Sequence, residues 1–88
     1  MQREEITTTD RYRVFACSVG KGEHNGPFTQ AVAIPLKFGT AVPAYANVLG
    51  EMQIKRAALA LAKYLHLHGM VYDAKDIRKA ARTCQVGV

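Results

Sequence analysis

From about Gln53 to His68 the sequence is dense in Ala, Leu and Lys, residues that give up little side-chain entropy in a helix. Ile54, Ala58, Leu61 and Leu65 recur at helical spacing, so this segment presents one apolar stripe that another layer must cover. That requirement constrains the rest of the chain. Gly69 ends the helix as a left-handed cap. Asp73 is placed to cap a second helix running through Cys84, with Ile77, Ala80, Ala81 and Cys84 on its inner face and Lys75, Arg78, Lys79 and Arg82 outward.

The covering layer is expected from strands. Arg11 to Val19 is rich in β-branched and aromatic residues, with Tyr12, Val14 and Ala16 alternating against Phe15, Cys17 and Val19, and reads as a well-buried strand. Three glycines and a proline between Gly20 and Pro27 make a loop. A second strand runs from Phe28 to Ile34, and Pro35 ends its regular pairing because proline has no amide hydrogen. Residues 40–52 allow two readings. The alternation of Val42, Ala44, Ala46 and Val48 fits a third strand, whereas Pro43 could open a helix with a Tyr45, Val48, Leu49, Met52 stripe. The strand is preferred on phase, because that stripe runs two residues out of step with Ile54, Ala58, Leu61 and Leu65, and one straight helix cannot bury both. Met1 to Asp10 shows no apolar periodicity and is expected to be a flexible arm. The expectation is therefore an α+β domain over residues 11–88: a three-stranded antiparallel sheet packed on one helix, with a second C-terminal helix.

Composition sets the class. Of 88 residues, 49% are hydrophobic and 22% charged, which suits a single globular domain rather than a disordered chain. The most apolar stretches, Phe28 to Leu36 and Ala57 to Leu67, fall well short of the ~20 residues a membrane span needs. Glu4 and Glu5 stand where a signal peptide carries only basic residues, so a cytoplasmic setting without membrane contact is expected. Cys17 and Cys84 match neither a secreted disulfide framework nor a metal knuckle, and read as buried free thiols. The net charge of +5 is uneven: residues 1–49 hold five Lys/Arg against four Asp/Glu, and residues 50–88 hold seven against three. Such asymmetry suits an anionic partner, although a solvated helix face gives the same count.

Catalytic machinery is not expected. No Gly-rich phosphate loop is present, and Ser18, the only serine, has no nucleophile elbow around it. His66 and His68, two apart on a helix, point to nearly opposite sides and cannot easily share a metal. The chain thus reads as a non-enzymatic binding protein without metal or cofactor. His24, in the Gly-rich loop, is free to reach a ligand. Lys55 and Arg56 stand in the first turn of a helix, where free amides favour an anion but the dipole disfavours cations, so another explanation for them is invited.

The segment His24-Asn25-Gly26-Pro27-Phe28-Thr29-Gln30-Ala31-Val32-Ala33-Ile34 resembles the H-x-x-x-F-T-x-x-V-x-[VI] stretch of double-stranded RNA-binding domains. Gly50-Glu51-Met52-Gln53-Ile54-Lys55-Arg56-Ala57-Ala58 is similar to that family's G-x-G-x-S-K-K-x-A helix start. The likeness covers residues 12–67, and the family's N-terminal helix has no counterpart. It implies a β-β-β-α core that binds duplex RNA, with His24 entering a minor groove and Lys55 and Arg56 gripping phosphates. Lys63, further along the same helix, is an additional candidate contact outside the family's motif. Domains of this shape also serve as protein-binding modules. The alternative is therefore a small phage- or plasmid-type inhibitor of a host protein or nucleoprotein complex, such as an anti-CRISPR protein, which docks an acidic partner on Lys75, Arg78, Lys79 and Arg82. An exposed strand edge leaves homodimerisation open.

Overall fold

The computed structural model describes residues 3–19, 26–39 and 41–83. Four strands precede two helices: β1 (Arg3–Thr8), β2 (Tyr12–Val19), β3 (Phe28–Pro35), β4 (Ala44–Leu49), α1 (Ile54–Leu67) and α2 (Val71–Thr83). The strands form one antiparallel sheet in the order β1-β2-β3-β4. Both helices contribute to a single core against one face of it.

The α+β class holds, but the sheet has four strands rather than three. Arg3–Thr8, expected as part of a loose arm, is an edge strand paired with β2. Its apolar signal is one residue, Ile6, which packs against the core. The register shifts between Glu5 and Thr7, and a bulge breaks the period-two pattern by which a strand is recognised. The hairpin between β1 and β2 is closed by Thr9, whose amide donates to the Tyr12 carbonyl at 2.8 Å while its hydroxyl accepts from the Tyr12 amide at 3.1 Å. Residues 44–49 are a strand, as phase requires.

The inward face of the sheet is mostly alanine. Ala16, Ala31, Ala33 and Ala44 are buried there, and the larger volumes come from Tyr12 and Val14 and, across the layer, from Ile54, Leu61, Leu65 and Ile77. Small residues on one layer let large ones on the other reach the backbone, which is how a helix packs densely on a sheet. Phe15 and Cys17 alternate to the opposite face, where they are half-buried. The β2 strand is thus buried on one side only, and the free Cys17 thiol is outside the core. Cys84 lies outside the described residues.

α1 ends in a Schellman motif: Gly69 has φ +87°, its amide donates to His66 O at 3.1 Å, and the Met70 amide donates to Leu65 O at 2.9 Å. A three-residue turn then leads into α2. Asp73 does not cap it. The helix already starts at Val71, and Asp73 is buried in its first turn, with Oδ2 3.9 Å from Arg11 Nε and Oδ1 without a partner among the described residues. The dipole at that helix end favours its charge. Among the described residues no helix is long and apolar enough to cross a membrane.

Candidate nucleic-acid interface

α1 begins on a tied-down turn. Thr29, buried in β3, donates its hydroxyl to Gly50 O at 2.8 Å and accepts from the Gln53 amide at 2.9 Å. The Met52 amide donates to Ser18 Oγ at 2.8 Å, and the Gly50 amide to Pro27 O at 2.9 Å. The turn is therefore fastened to both flanks of the connection between β2 and β3. His24 belongs to that connection and lies outside the described residues.

Two residues of the turn have left-handed backbone. Gly50 has φ +104°, and a Cβ there would stand 3.1 Å from Gln53 Cγ. Met52 has φ +56°, a conformation that costs a residue with a side chain roughly 1–2 kcal/mol. Gln53 supplies no side-chain cap. The first intrahelical amide to find a carbonyl is that of Ala57, which donates to Gln53 O at 2.9 Å. Among the described hydrogen bonds none uses the amides of Lys55 or Arg56, so they point outward unpaired, as first-turn amides do.

Lys55, Arg56 and Lys63 are all exposed. At 100° per residue, Arg56 and Lys63 fall in line on α1, roughly 10 Å apart along the axis, and Lys55 and His66 line up together about 80–100° round from Arg56 on one side. α1 contains no acidic residue. On α2, Lys75, Lys79 and Arg82 are exposed, whereas Arg78, expected outward, is half-buried. Lys75, Lys79 and Arg82 share a shallow groove with Asp76 and Thr83. Residues 54–83 hold seven Lys/Arg against Asp73 and Asp76, so the whole net charge of +5 sits on the two helices. His68 stacks on Tyr64 with ring centroids 4.3 Å apart. Among the described residues no three His, Cys, Asp or Glu converge on a metal position.

A feature that sequence reasoning passed over is the open face of the sheet. The guanidinium groups of Arg3 and Arg13 lie 5.5 and 5.6 Å from the centre of the Phe15 ring, within cation–π range. Arg13 also meets Glu5 at 3.4 Å. The alternation of Arg11 and Arg13 with Tyr12 and Val14 carries half of this signal. The other half needs β1.

No family model, no curated protein and no solved structure matches the chain.

Proposed function

We propose that the chain is a non-enzymatic binding protein whose helical layer takes a polyanion, and that the polyanion is duplex RNA. The observation that carries the reading is the charge distribution: all of the net +5 lies on α1 and α2, and α1 has no acid to offset Lys55, Arg56 and Lys63. Cations at a helix N-terminus oppose the dipole, so a bound phosphate that meets both the side chains and the unpaired amides accounts for them better than solvation does.

The turn before α1 supports duplex RNA within that class. Met52 occupies the position of the second glycine in the G-x-G-x-S-K-K-x-A pattern of double-stranded RNA-binding domains, and its φ of +56° is the conformation a glycine serves. The bonds from Ser18 and Pro27 to this turn tie the flanks of the His24 connection to the end of the molecule that carries Lys55 and Arg56. A minor-groove residue and a phosphate clamp need that common end.

The test is affinity for an RNA duplex against a DNA duplex of equal length. A-form geometry and the 2′-hydroxyl predict preference for RNA, with His24→Ala weakening RNA binding. Equal, weak binding to both polymers, insensitive to His24, overturns the RNA reading. It would transfer the role to an acidic protein docked on Lys75, Arg78, Lys79 and Arg82.

A further inference from the structure

The two edges of the sheet are built differently. β1 carries Arg3, Glu4 and Glu5 and has a register shift between Glu5 and Thr7, and both devices discourage pairing with another strand. β4, Ala-Tyr-Ala-Asn-Val-Leu, has no charge, no proline and a regular register along its whole length. An edge of this kind is a template for a further strand.

The outward groups of β4 follow from the register. The Gly50 amide bonds Pro27 O and continues the β3–β4 ladder. Alternation along an antiparallel pair then turns the amides and carbonyls of Ala44, Ala46 and Val48 toward β3, and those of Tyr45, Asn47 and Leu49 away from it. None of the described hydrogen bonds outside the ladder uses these outward groups. Nor does α1 close over the edge: Ala46 and Val48, on the face it covers, remain half-buried.

We propose that β4 pairs with β4 of a second copy of this chain, antiparallel about a twofold axis at Asn47. The register sets Asn47 against its own counterpart and Tyr45 of each copy against Leu49 of the other. With outward groups at all three positions, the pairing forms about six backbone hydrogen bonds and leaves none of these groups unmet. Tyr45 and Leu49, 62% and 67% exposed in the single chain, become aromatic–aliphatic cross-strand pairs. A second copy is the favoured occupant on charge. A twofold contact sets a surface against itself, and β4 suits that: it carries no charge to oppose its counterpart, and in this register each exposed Tyr45 meets an exposed Leu49. The inference does not depend on what the helical layer binds.

Sedimentation equilibrium of the full chain tests it, after nuclease treatment and in about 0.5 M salt to screen any carried polyanion. At about 0.1 mM chain, wild type is expected at twice the 9.7 kDa chain mass. Asn47→Lys puts like charges together at the axis and is expected at the mass of one chain, with unchanged far-UV circular dichroism. Leu49→Lys, at a second exposed position, is expected to do the same. A wild-type chain that stays at 9.7 kDa overturns the proposal. So does a dimer that survives both substitutions, or one that Phe15→Ser on the open face dissociates while Asn47→Lys does not. A single chain that instead captures a peptide strand of other sequence along β4 would show the edge to be a docking site for a foreign partner, and also overturns it.

Discussion

Met52 has a side chain where the backbone asks for none. With φ at +56° and the side chain exposed, Met52→Gly relieves the strain without removing the amide that bonds Ser18. It should stabilise the fold by about 0.5–1 kcal/mol, once the added freedom of the unfolded chain is set against the strain. Chemical denaturation reads this directly, and a net loss of stability would mean that the turn is not strained. Tyr12 makes a second prediction. Its buried hydroxyl donates to Val42 O at 2.9 Å and touches Met70 Sδ at 3.1 Å. Tyr12→Phe leaves that carbonyl without its donor and should cost about 1–2 kcal/mol. Burial, then the nearby Asp73 carboxylate, push the phenol pKa above its ordinary value near 10.0. A raised folded pKa favours the neutral form in the native state. The stability it contributes is therefore fully present below the unfolded value and is lost as pH rises through the folded one. Melting temperature should fall in that alkaline window for wild type, and less steeply for Tyr12→Phe.

At the scale of elements, α1 is held by large residues over an alanine floor. Leu61 is completely buried among them, so Leu61→Ala should cost about 2–5 kcal/mol by urea denaturation. A change near zero would mean that the stripe is not core. Two helices and three strands were legible because their apolar residues keep one period each, and because two stripes out of phase exclude a single helix through residue 50. β1 was not legible. Its pairing is supplied by β2 across a bulge rather than by its own apolar residues, so periodicity had almost nothing to register. Asp73 was misread for a related reason. Capping residues and first-turn acids are the same residue types, here three positions apart, and only the observed helix start at Val71 separates them. The cations of α1 could be listed from sequence, since a helical stripe fixes which residues face away. Their company could not: that they share a layer with Lys75, Lys79 and Arg82, where Asp73 and Asp76 offset part of the charge, depends on both helices lying on the same face of the sheet.

For the whole molecule, this segregation means a neutral sheet half and a helical half that holds all of the net charge. Such a molecule should meet a polyanion in one orientation, with strong dependence on ionic strength. The most direct measurement is the slope of log affinity against log salt for an RNA duplex, taken for wild type and for the Lys55→Ala/Arg56→Ala double variant. If these two side chains neutralise phosphates, the double variant should bind more weakly and its slope should flatten by roughly two units, about one for each lost contact, with Lys63→Ala removing up to one more. An unchanged slope in the double variant, together with a flattened slope on substitution of Lys75, Lys79 and Arg82, would contradict the account and move the binding face from α1 to α2.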